Sequence, residues 1–166
     1  MKNRTKVTFL VQAAAIAAVY VVLTLIFAPI SFGEVQVRIS EALTVLPYFT
    51  PAAVPGLFVG CIIANLFGGA IPMDILFGSI ATLIGALGTR ALCKKNKFLA
   101  PLPPIIANTL MVPFVLFYGY GINLPIPFMM LTVGAGEVLS CGVIGMVVLG
   151  ALNNYRTVIF RDNANA

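Results

Sequence analysis

The chain has 166 residues, 60% of them apolar and 9% charged, with a mean hydropathy of +1.05 and a formal net charge of +5. A soluble domain carries about 25% charged residues. The few charges here cannot cover a water-facing surface, so the composition defines an integral membrane protein, read as a single domain over residues 1–166. There is no histidine, which removes the commonest general base and the commonest zinc ligand. Cys61, Cys93 and Cys141 are scattered, make no paired motif, and read as small packing residues. The positive charge lies in loops, so it reports orientation rather than nucleic-acid binding.

Lys2, Arg4 and Lys6 precede an uncharged run from Val7 to Ile30. That run is longer than the apolar core of a secretory signal, about 7–15 residues, and is long enough for a retained first helix, about 7–30. Pro29 and Gly33 end it. A charged loop with Glu34, Arg38 and Glu41 follows, and then no charge until Asp74. This stretch exceeds one crossing and is cut by Pro47, Pro51 and Pro55. The residue before a proline is pushed out of the helical region, so the stretch divides into two short helices, about 40–49 and 53–67. Neither reaches the ~20 residues of a perpendicular span, so both belong inside a bundle.

A fourth helix is expected over about 74–92, with Asp74 at its N-terminus, where the helix dipole stabilises a carboxylate. The basic group Arg90, Lys94, Lys95 and Lys97 comes next. Pro101, Pro103 and Pro104 open a fifth helix, about 104–118, and a loop rich in glycine and proline leads to a sixth, about 128–153. The basic N-terminus, 90–97 loop and C-terminal tail are read as cytoplasmic. The even number of crossings this demands gives an all-α bundle of six transmembrane helices with both termini inside. The loops at 31–40, 68–74 and 119–127 then face outward.

Three acids stand at or within the membrane: Glu41, Asp74 and Glu137. Glu137 is the deepest, about 13 Å past Phe128 at ~1.5 Å per residue. An ionisable group there is expensive and should face the bundle interior with a partner. Arg38 is one candidate partner; the other reading is a carboxylate that meets a ligand. Asn65 and Asn108 add amides at similar depth, and Tyr48 and Phe117 are candidate stacking rings. Polar groups converging in the outer half of an otherwise apolar bundle describe a small-molecule site. A carboxylate that accepts two parallel hydrogen bonds suits an edge with adjacent N–H groups, or a cationic amine. Ala13/Ala17 and Ala14/Ala18 in helix one, and Gly56/Gly60 in helix three, form ridges that let helices approach closely. No phosphate-binding loop of the Walker type occurs, so energised transport needs a partner or an ion gradient.

The run VQVRISEALTVLPYFTPAAVPGLFVGCIIANLFGG, with DILFGSIATLIGAL after it, resembles the queuosine precursor transporter family (QueT), substrate-binding S components of energy-coupling factor (ECF) transporters. The resemblance implies a six-helix, non-enzymatic S component of the bacterial plasma membrane. Such a protein captures a nutrient at the outer face and docks through small residues of helix one on a transmembrane T component that carries two cytoplasmic ATPases. It implies a queuosine precursor as ligand, queuine or a related 7-deazaguanine base. ATP would be used by the partners, with no cofactor or metal on this chain. Ala14 and Ala18 become the expected docking pair, with Ala13 and Ala17 the other register. The expected ligand contacts are Arg38, Glu41, Tyr48, Asn65, Asp74, Asn108, Phe117 and Glu137, among which Glu41 and Glu137 accept hydrogen bonds. An S component for another heterocyclic vitamin and an ion-coupled secondary carrier remain as alternatives.

Overall fold

The computed structural model describes residues 2–31, 37–92 and 96–155, with side chains from Lys6 onward. Glu34, Cys93, Lys94, Lys95 and the tail with Arg156, Arg161 and Asp162 lie outside the described residues. All regular structure among the described residues is helical: α1 (Lys2–Ile26), α2 (Ala28–Ser31), α3 (Ala53–Phe67), α4 (Pro72–Leu92), α5 (Leu102–Tyr118), α6 (Ile126–Glu137) and α7 (Gly145–Asn154). Among the described residues, four stretches are long and apolar enough to cross a membrane: Lys6–Ile26, Pro72–Leu92, Lys97–Tyr118 and Ile126–Asn154. Side chains such as Leu10, Leu66 and Leu131 are well exposed on the outside of the bundle. Lipid accepts such a surface and water does not.

Besides the short 3-10 turn Lys97–Leu99, three places depart from plain α-helix among the described residues. The first helix breaks at Phe27, just before Pro29, and resumes as the single turn α2, because proline has no N–H to continue the ladder. The segment Ile39–Tyr48 is not an α-helix but a 3-10 helix of 10 residues. At about 2.0 Å per residue it spans roughly 20 Å, where an α-helix of that length covers roughly 15 Å. The tighter winding lets a short segment reach further through the bundle. The last span is interrupted by a π-helical segment, Val138–Ile144, directly after Glu137. Such wide turns occur mostly at functional sites.

The helices α1, α3, α4, α5 and α6 pack in that order, each against the next. The 3-10 helix lies inside, against α1, α3, α4, α7 and the π segment. Most of its residues are buried, including Glu41, Thr44, Val45 and Leu46. The α1–α3 contact is close. A Cβ at Gly56 would stand 2.7 Å from the Ala13 carbonyl oxygen, and one at Gly60 would stand 3.1 Å from the Ala17 Cα. Glycine is needed there because two backbones touch. This contact uses the Ala13/Ala17 face, while Ala14 and Ala18 are exposed.

The main apolar core joins Tyr20, Val45, Leu46, Phe49, Leu57 and Leu149. A second, smaller core joins Val112, Leu116, Met129 and Val133 between α5 and α6. Between them, α1, α3, α4, α5 and the 3-10 helix hold a set of polar side chains away from lipid.

Candidate functional site

Glu41 occupies the first turn of the 3-10 helix and is 1% exposed. Its Oε1 accepts a short hydrogen bond from the Tyr20 hydroxyl and a second, of 3.3 Å, from Thr82 Oγ1. Its Oε2 lies 3.5 Å from Asn108 Nδ2. Three helices therefore supply donors to one carboxylate, as a buried acid requires. Tyr20 is positioned by its own turn: Thr24 Oγ1 bonds the Tyr20 carbonyl at 2.9 Å and Ser40 Oγ at 2.7 Å.

Glu137 closes α6 and meets the same centre from the other side. Its Oε2 accepts from the Cys141 thiol at 3.2 Å, an i, i+4 pair that the π turn tucks inward, and Asn108 also hydrogen-bonds it. The ligating atoms of Glu41, Glu137 and Cys141 all lie within 4.8 Å of one another. That donor set has the composition of a metal site. Glu41, however, already has both oxygens engaged by Tyr20, Thr82 and Asn108, so a metal would have to break those bonds first.

Toward the α3–α4 turn the cluster continues. Arg38 reaches Cys61 Sγ with Nη1 at 3.9 Å and lies in the field of Tyr20, Asp74 and Glu41. Burial by itself lowers the pKa of the guanidinium, but the acidic groups around it more than reverse this, so Arg38 holds its proton more firmly than usual. Asn65 Nδ2 donates to Cys61 Sγ at 3.6 Å and to the Asp74 carbonyl at 3.5 Å. Gly78 leaves room for these groups, since a Cβ there would stand 2.9 Å from Asp74 Oδ1. The Tyr120 hydroxyl donates to Asp74 Oδ2 at 3.1 Å and accepts from the Ile71 N–H at 3.5 Å. This ties the α5–α6 loop to the start of α4. Burial, and then the Asp74 carboxylate, push the Tyr120 phenol above its ordinary pKa of 10.0.

Of the residues expected from sequence, Arg38, Glu41, Asn65, Asp74, Asn108 and Glu137 are brought together and all are buried. Tyr48 is not with them. It lies at the opposite end of the 3-10 helix from Glu41, roughly 14 Å away at ~2.0 Å per residue, edge-on to Phe49. Phe117 packs into the smaller core and against Tyr118. Sequence reasoning passed over Tyr20, Thr82, Cys61 and Cys141. Two signals were present: Tyr20 and Thr24 stand one turn apart in the otherwise apolar second half of α1, and Cys141 follows Glu137 by one turn. Two cavities, of 230 Å³ between α3 and α4 and 400 Å³ between α4 and α5, are lined almost wholly by apolar side chains, and neither reaches the acids.

A helical membrane bundle that hides three acids, an arginine and two amides at its centre belongs with proteins that take up polar solutes. A family model described as "QueT transporter" matches residues 10–154. The chain belongs to the QueT transporter family. It is 32% identical over 84 residues to a protein of Lactococcus lactis subsp. cremoris (strain MG1363), the "Queuosine precursor transporter QueT". The match covers 49% of each chain, so it spans about half the length of that curated relative. No solved structure matches.

Proposed function

We propose that the protein is the substrate-capturing S component of an ECF-type transporter, and that it takes up a queuosine precursor, queuine or a related 7-deazaguanine base. The observation that carries this reading is the convergence of Glu41, Asp74, Glu137, Arg38, Asn65 and Asn108, from five separate stretches of helix, in the interior of a transporter-family bundle. A flat base with adjacent N–H donors matches paired carboxylate and amide acceptors. Binding proceeds by exchange: the ligand edge takes the place of donors that now satisfy the acids.

On this reading the chain crosses the membrane six times, as α1–α2, the 3-10 helix, α3, α4, α5, and α6–α7, with both ends cytoplasmic. The protein moves its ligand without transforming it and binds no cofactor or metal. ATP is consumed by two partner ATPases through a T component. The exposed Ala14 and Ala18 support docking in that register, because Ala13 and Ala17 are already packed on α3.

The test is binding of radiolabelled queuine to the purified protein, followed by uptake into vesicles with and without the T component and the ATPases. Saturable binding by the chain alone, with uptake only in the complete assembly, is the expected outcome. Uptake by the chain alone would replace this reading with a secondary carrier. Binding of thiamine or riboflavin in preference to queuine would replace the substrate.

A further inference from the structure

The connection from α4 to α5 is basic. From Arg90 to Lys97 the sequence holds four basic residues, and no acid occurs between Asp74 and Glu137. The turns at the other end of these helices, 68–73 and 119–127, hold no basic residue. Of the four cations, Arg90 and Lys97 are described. Arg90 stands in the last turn of α4 and donates from Nη1 to the Pro47 carbonyl at 3.1 Å. Lys97 is exposed, with its ammonium 5.2 Å from the centre of the exposed Phe98 ring. The described acids, Glu41, Asp74 and Glu137, are buried in the polar centre, so none stands on the surface to answer these cations.

The basic turn is fixed to the end of an apolar groove. The Asn96 N–H reaches the Leu92 carbonyl at 3.4 Å, and Thr89 Oγ1 donates to the Ala100 carbonyl at 2.7 Å. Leu92 and Leu102 form the near end of the 400 Å³ cavity between α4 and α5, which continues past Gly88, Pro103 and Ile106 to Leu110. Leu102 to Leu110 is about 12 Å of helix at ~1.5 Å per residue. Gly88 and Pro103 meet between the helices, where a Cβ on Gly88 would stand 2.5 Å from Pro103 Cβ. Leu102, Ile106 and Leu110 are half-exposed along the rim, so the groove opens to the outside of the bundle.

An apolar groove with a cation at its mouth has the two-part chemistry of a phospholipid site between membrane helices. Lysine and aromatic side chains at the end of a span stand at headgroup level, and acyl chains lie along the helices. A zwitterionic headgroup brings its own cation to the phosphate. An anionic headgroup leaves that charge to the protein. We propose that the groove between α4 and α5 binds an anionic phospholipid, with one acyl chain along Gly88, Ile106 and Leu110 and the phosphate on Lys97. This lipid site lies apart from the polar centre and is independent of the solute taken there.

The experiment is native mass spectrometry of the purified full-length protein in detergent, titrated with phosphatidylglycerol and phosphatidylcholine of the same chains. One basic residue at the surface predicts a preference of at least ~5-fold for the anionic lipid, and Lys97→Gln should lower the ratio by about that factor. Ile106→Trp, which fills the groove, should weaken both lipids. Dihexanoyl phosphatidylglycerol has the headgroup but chains too short to line the groove, and should bind more weakly than the long-chain lipid. Equal binding of the two headgroups would overturn the inference, as would a preference untouched by Lys97→Gln. Glycerol phosphate or the short-chain lipid binding as tightly as the long-chain one would leave a surface charge effect only and overturn the groove. Unchanged lipid binding in Ile106→Trp, with loss of the co-purifying T component, would give the groove to a protein and overturn it as well. Both substituted side chains are exposed, where replacements are best tolerated; if Ile106→Trp does not fold, the short-chain lipid decides. Failure of the wild type to bind queuine would overturn the proposed function and leave the lipid site standing.

Discussion

The α1–α3 contact can be tested by adding one methyl group. In Gly56→Ala the new Cβ meets the Ala13 carbonyl oxygen at 2.7 Å, and Ala13 Cα and Ile16 Cβ at 3.2 Å each. Ordinary contact begins near 3.4 Å, so α1 must back away by several tenths of an ångström. Two of the three obstructing atoms are backbone and cannot rotate aside. Overpacking of this kind costs about 1–3 kcal/mol. Alanine also favours a helix over glycine by about 1 kcal/mol, which hides part of the cost. Gly150→Ala, in α7, isolates it: nothing lies within 4 Å of that Cβ, so it carries the helix gain without the clash. The two variants should therefore differ by about 2 kcal/mol, or roughly 4–8 °C in melting temperature. Cys61 and Cys141 are buried, so a thiol-reactive dye in detergent reports unfolding once Cys93 is replaced by serine. Equal melting temperatures for Gly56→Ala and Gly150→Ala would refute the close contact and the helix order built on it.

The two alanine registers separate in the same assay. Ala17→Leu should lower the melting temperature by several degrees, because Ala17 faces Gly60. Ala18→Leu should leave melting unchanged while reducing co-purification with the T component and ATPases; a drop in stability without loss of assembly would reverse the assignment. The Tyr120–Asp74 bond gives a pH dependence. A phenol whose pKa is raised in the folded protein contributes stability fully present below the unfolded value of 10.0 and lost as pH rises through the folded one. Melting should therefore fall as pH is taken above about 10, and Tyr120→Phe should flatten that fall. An unaltered alkaline slope in the variant would rule the bond out as the cause.

Much of the architecture follows from composition and from where the prolines and charges stand. The uncharged run from Ala42 to Met73 cannot be one straight span when Pro47, Pro51 and Pro55 cut it, and Glu41, Asp74 and Glu137 had nowhere to go but inward. The winding of the chain was not legible. Over ten residues of Ile39–Tyr48, a period of 3.0 and one of 3.6 give nearly the same apolar pattern. The π segment after Glu137 changes no residue type, so Val138–Ile144 reads as continuous helix. The partners of Glu41 were hidden for another reason. Tyr20, Thr82 and Asn108 are distant in sequence, and only the helix order puts them on one carboxylate. Tyr48 and Phe117 were chosen as rings near polar residues, but the aromatic packing around each places them in the cores.

The inward stripe of α1 has one further consequence. Ala13, Ala17, Tyr20 and Thr24 follow one another at spacings of four, three and four, so they share a face. The lower half of that face is a gasket against α3, and the upper half is the hand that holds Glu41. Each residue turns a helix by about 100°, so rolling α1 by one position would trade Ala17 for Ala18 and pull the phenol off the acid in the same stroke. Whatever grips the outer flank of this helix therefore also bears on the Tyr20–Glu41 bond.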